Sequence, residues 1–86
     1  MNEFIIETFS DLCSQYDMEV HLKTKRTFSL YVMDDLPFEL KEVIHQKVKY
    51  ITKEMGRSTY LIDNPYIRNV GGKSLYTPGI WNIRIY

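Results

Sequence analysis

Residues able to do chemistry are few in this chain, and none stands at the spacing a reaction needs. The two histidines, His21 and His45, have no Cys, His or carboxylate at metal-ligand spacing, so no metal site is expected. Cys13, the sole cysteine, falls within the apolar stripe of a helix-patterned segment and reads as a buried, inert thiol, because activation needs a neighbour the sequence does not identify. Glu3, Glu7 and Asp11 share one helical face. A solvated face is the simpler reading, because an acid and base pair needs burial or a like-charge partner to tune it. Val70-Gly71-Gly72-Lys73-Ser74 ends like a phosphate-binding loop, but Ile67 stands where the first glycine is required and Leu75-Tyr76-Thr77-Pro78 follows in place of a helix. A tight turn or hairpin tip at Gly71-Gly72 is the simpler reading. No catalytic residue, metal or cofactor is expected, and the chain reads as not an enzyme.

Binding chemistry is better represented. His21, Lys23, Lys25 and Arg26, with Tyr31, Arg84 and Tyr86, make a basic aromatic set of the kind that stacks RNA bases on a sheet surface. The β-α-β-β-α-β order and glycine-aromatic fingerprint of RNA-recognition domains are both missing. With 11 basic and 11 acidic residues the net charge is zero, which disfavours a nucleic-acid binder driven by overall charge. Tyr and Arg are equally the side chains that anchor protein interfaces. A second such set lies in the connection 64–79, which holds Tyr66, Ile67, Arg68, Val70, Leu75 and Tyr76. A connection beyond about 12–15 residues is commonly functional, and this one carries enough apolar surface to pack as a structured loop.

The elements that position these residues follow from periodicity. Ile5, Phe9, Leu12, Cys13 and Tyr16 recur every three or four residues and predict a helix over 3–16 with its apolar stripe toward a core. Alternation predicts strands at Met18–Lys23 and Thr27–Met33, joined by Thr24-Lys25-Arg26 as a hairpin. Asp34-Asp35-Leu36-Pro37 reads as the start of a second helix, with Leu36, Leu40, Val43, Val48, Ile51 and Met55 as its buried stripe, Ile44 and Tyr50 flanking it, and Gly56 as its left-handed cap. Ser58–Ile62, stopped by Asp63-Asn64-Pro65, and Ile80–Tyr86 complete the strands, with Trp81, Ile83 and Ile85 turned inward; Tyr66–Val70 is a candidate edge segment. The order α-β-β-α-β-β specifies an α+β two-layer sandwich: an antiparallel sheet of about four strands with two helices on one face. The other face, gathering His21, Lys23, Ser29, Tyr31, Asn82, Arg84 and Tyr86, would be a basic front opposite an acidic helical back.

Eighty-six residues, 44% hydrophobic and 14% aromatic, suffice for one folded domain over 1–86. One cysteine fits a reducing compartment, the first residues lack the pattern of a secretory leader, and no stretch approaches a membrane span, so a cytoplasmic protein without membrane contact is expected. The chain contains no alanine, a bias expected of AT-rich coding sequence such as that of many bacteria and phages. Three functions fit these properties. The first is a protein-binding module, of the kind phage or mobile-element accessory proteins use to bind and inhibit a host protein, with Tyr31, Tyr66, Arg68, Tyr76 and Arg84 as contacts to an acidic partner. The others are a nucleic-acid binder using the basic, Tyr-bearing sheet face, and a self-associating structural subunit, that is, a homo-oligomer.

Overall fold

The computed structural model describes residues 2–63 and 66–86, so the Asn64-Pro65 part of the expected strand stop lies outside the described residues. Helix α1 spans Asn2–Gln15 and α2 spans Leu40–Glu54; the strands are β1 (Met18–Leu22), β2 (Thr27–Val32), β3 (Leu36–Pro37), β4 (Tyr60–Asp63), β5 (Ile67–Val70), β6 (Lys73–Tyr76) and β7 (Gly79–Ile85). The expected α+β sandwich is present. Strands β1, β2, β7 and β4 form, in that order, an antiparallel sheet, and both helices contribute to the core on one of its faces.

Alternation decides that face. On β7, Trp81, Ile83 and Ile85 are buried while Asn82 and Arg84 are exposed; on β2, Phe28, Leu30 and Val32 join them. From the helical layer Ile5, Phe9 and Leu12 of α1 and Leu40, Ile44, Val48 and Ile51 of α2 close the core. The two helices run antiparallel: the Phe4 and Tyr50 rings lie 5.4 Å apart at one end, and Lys47 donates 2.9 Å to the Thr8 carbonyl further along. Lys47 also pairs with Asp11 at 2.9 Å, and that hydrogen bond holds the Asp11 carboxyl below its ordinary range.

The second helix corrects two expectations. Its buried stripe runs through Ile44, not Val43, because packing follows the row 40, 44, 48, 51 around the axis and leaves Val43 39% exposed. Its start is also later. Leu36 and Pro37 are strand residues paired with Tyr76 and Leu75, and the helix begins at Leu40 behind Glu39, which makes no side-chain capping bond. Proline is accommodated in β3 because that strand is an edge, where a missing N–H breaks no ladder. The helix C-terminus is as expected: Gly56 adopts φ 71°, and the N–H groups of Gly56 and Arg57 return to the carbonyls of Lys53 and Thr52, a Schellman closure.

Within the connection 64–79 the described residues form a hairpin, with the candidate edge segment present as β5 and the turn at Gly71-Gly72. Strands β5 and β6 pair from Ile67↔Tyr76 to Val70↔Lys73 around Gly71 and Gly72, both at positive φ (56° and 80°), the backbone that two-residue hairpin turns require. With β3 on its other side β6 is the middle strand of a second sheet. Tyr76 roots this arm in the core, its ring 4.8 Å from Trp81 at a steep angle and stacked 5.5 Å from Phe38.

Candidate functional site

The five expected contacts do not form one surface. Register places Arg84 against Thr27 at one end of the large sheet and Gly79 against Val32 at the other, five residues or about 17 Å apart at ~3.3 Å per residue. The arm leaves from the Gly79 end, where the Thr77 N–H donates 3.0 Å to the Tyr66 carbonyl. Tyr66 and Arg68 therefore sit together, and Arg84 lies remote from them. Tyr31 is half-buried on the open sheet face, its ring 4.0 Å from that of His21. Tyr76 is 1% exposed and cannot be a surface contact: it faces inward because it is opposite Ile67 and beside Leu36, on the side of the arm that meets the core, and burial pushes its phenol pKa up.

Nor is the open sheet face uniformly basic. Three rows cross it: Glu19, Tyr31 and Ile80; His21, Ser29, Asn82 and Asp63; then Thr27, Arg84 and Leu61, with Lys23 bonded to Thr27 through its N–H. Glu19 and Asp63 bring negative charge to the same face, and Glu19 is spent on His21 at 3.0 Å. Ser29 at the centre is buried, its hydroxyl donating 2.8 Å to Asn82 Oδ1. Positive charge collects at one end of the sheet instead, on Lys23, Lys25, Arg26, Arg57 and Arg84 around Tyr86, while Asp17, Asp34, Asp35 and Glu39 lie near the root of the arm.

The arm is the more exposed feature. Every residue of β5 is exposed, Tyr66 before it is 88% exposed, and Ile67 and Val70 are about half-exposed. Arg68 is not a free cation, since its guanidinium is paired with the Asp35 carboxylate. Alternation along β5 also leaves the N–H and C=O of Ile67 and Asn69 pointing away from β6, on an edge that no described strand covers. Where β3 stops, a groove of about 450 Å³ opens between Pro37, Phe38 and Glu39 on one side and Gly72 to Leu75 on the other. Ile67 and Val70, expected to help pack the connection, are exposed, and Leu61 and Ile80 are exposed apolar residues that pattern reading passed over. The available signal was an apolar residue out of phase with the inward set, as Ile80 is beside Trp81 and Leu61 between Tyr60 and Ile62.

Cys13 is half-buried on α1, and burial together with the nearby Asp11 and Glu19 carboxylates raises its thiol pKa. Alkylation of the folded protein by iodoacetamide at neutral pH should accordingly be slower than that of the urea-unfolded chain, and should accelerate on raising the pH. Equal rates in the two states would contradict this placement. Among the described residues no group of three or more His, Cys, Asp and Glu is arranged to hold a metal ion, and no helix is long and apolar enough to cross a membrane. Compared with known proteins, the chain matches no family, no curated protein and no solved structure.

Proposed function

We propose that the chain is a small non-enzymatic protein-binding module that meets its partner through the β5–β6 arm. The observation that supports this is the arm itself: an ordered strand with no buried residue, carrying Tyr66, Ile67 and Val70 in solvent. Ordering a strand costs conformational entropy at every residue, and here only partial side-chain burial within the chain offsets it. A partner seated on the arm would desolvate those three side chains and the neighbouring Phe38, and could pair with the free edge of β5. Tyrosine and large apolar side chains are the usual anchors of such contacts. Because Arg68 is already neutralised by Asp35, the partner need not be acidic; an apolar, strand-forming surface is the better match. Inhibition of a host protein is one consequence such occupancy would have.

The experiment is an affinity capture from host extract with and without nuclease, followed by calorimetry on the protein recovered. Tyr66→Ala should weaken that complex by about 1–2 kcal/mol, roughly 5–30-fold in Kd, with the circular dichroism of the free domain unchanged. Affinity unaffected by Tyr66→Ala and Val70→Ser together, in protein that remains folded, would overturn the assignment of the arm.

A further inference from the structure

We propose that the end of the sheet remote from the arm is a seat for single-stranded nucleic acid, with Lys23, Lys25 and Arg84 meeting phosphates and Tyr86 stacking a base. Zero net charge conceals this end. The hairpin turn brings Lys23, Lys25 and Arg26 beside the end of β7, since the Ile85 N–H donates 2.8 Å to the Arg26 carbonyl and Arg84 is the register partner of Thr27. Among the described residues none of Lys23, Lys25, Arg26, Arg57 or Arg84 is paired with an Asp or Glu side chain, whereas the carboxylates that do pair use His21, Lys47 and Arg68. Unpaired cations gathered at one place make a local field that the total charge does not report.

The aromatic component separates nucleic acid from other anions. Tyr86 is half-exposed, the Arg84 guanidinium lies over its ring at 5.6 Å, and its main-chain oxygen accepts from Arg26 at 3.4 Å and Arg57 at 3.2 Å. Two arginines thus hold the backbone of Tyr86 and a third lies over its ring, beside Lys23 and Lys25 of the turn. A strand of nucleic acid alternates phosphate and planar base, and such a surface answers both groups. An acidic peptide would use the cations alone. The cations border two shallow depressions of about 360 and 320 Å³, shared by Arg84 and Tyr86; Asp63, the acid lining the larger, lies one row along beside Asn82. Among the described residues no helix or ribbon projects there to enter a duplex groove, the 23–26 turn being tied to the end of β7, and a concave seat fits a single strand.

The test is fluorescence anisotropy with fluorescein-labelled 15-mers of dT and U. Three phosphate contacts at a slope of ~0.7 each should weaken binding about 20-fold between 50 and 200 mM salt. Lys25→Glu with Arg84→Glu should cost more than about tenfold at 50 mM salt and flatten the salt dependence. Lys25→Gln alone, in an exposed turn where folding is not at issue, should reduce the slope by about 0.7. Tyr86→Leu should lower affinity roughly 5–10-fold while leaving the slope unchanged, the mark of lost stacking. Tyr66→Ala should have no effect, so that failure of the arm reading and failure of this one are separable. Three results would overturn the proposal: no binding at 50 mM salt with protein at about 100 µM, the weak end of ordinary non-specific affinities at physiological salt; an unchanged curve for the folded charge-reversal variant; or displacement of the oligonucleotide by poly-glutamate of equal charge concentration, which would make the end a seat for any polyanion.

Discussion

Ile44→Asp is expected to abolish folding, while Val43→Asp, one residue earlier on the same helix, leaves the domain intact. Ile44 is fully buried among residues of both helices and the sheet, and Val43 opens to solvent. A carboxylate forced into the first position either ionises without a partner or takes up a proton to stay neutral, and either route costs several kcal/mol on top of the lost packing. An 86-residue domain holds only about 4–13 kcal/mol of stability at ~0.05–0.15 kcal/mol per residue, so that loss consumes much or all of it. Thermal melts followed by circular dichroism check the pair. Similar melting temperatures for the two variants would mean that the helix is rotated from the orientation described here.

The second large effect is expected at Trp81, where truncation to Ala should cost about 3–5 kcal/mol. The side chain is 0% exposed and touches Tyr76, so its removal leaves a cavity at the point where the arm joins the core. Trp81→Phe should behave differently. The indole Nε1 and the Tyr76 hydroxyl are both buried with no partner among the described residues, and an unsatisfied buried donor costs about 1–3 kcal/mol. Phenylalanine keeps most of the apolar contact and removes one of those two groups, so its loss should stay below about 1.5 kcal/mol. Urea denaturation reads both variants: a large drop in midpoint for Ala, a small one for Phe, and a similar m-value throughout. Equal losses would mean that the indole N–H is satisfied in solution.

The parts of this fold that were legible in the sequence are those where one period governs a long segment. The alternation of Trp81, Ile83 and Ile85 and the helical stripe Ile5, Phe9 and Leu12 each specify a buried face without reference to anything distant. The second helix shows the limit of that reasoning: Val43 and Ile44 are both apolar, and only packing against the sheet selects between them. The short strand β3 was illegible for a related reason. Two residues carry no period, and Asp-Asp-Leu-Pro matches a helix start until Tyr76 and Leu75, nearly forty positions along the chain, are seen to pair with it. In the candidate contacts the same long-range effect removed Tyr76, whose partners Phe38 and Trp81 are invisible locally, and bound Arg68 to Asp35. Composition located positive charge by segment. Strand alternation brought the turn 23–26 together with Arg84 and Tyr86, as the structure does, but gave no sign that Arg57 would join them.

Trp81 is the one tryptophan of the chain, and its place between core and arm makes it an optical probe built into the molecule. Excited selectively at the red edge of aromatic absorption, it reports from a single site with no label attached. Water has no access to the indole while the Tyr76 ring stands against it, so its emission belongs at the blue end of the tryptophan range. A movement that lifted the arm and left the sheet intact would shift that emission to the red without altering the far-ultraviolet signal, so that opening of the arm and unfolding of the domain can be distinguished in the unmodified protein.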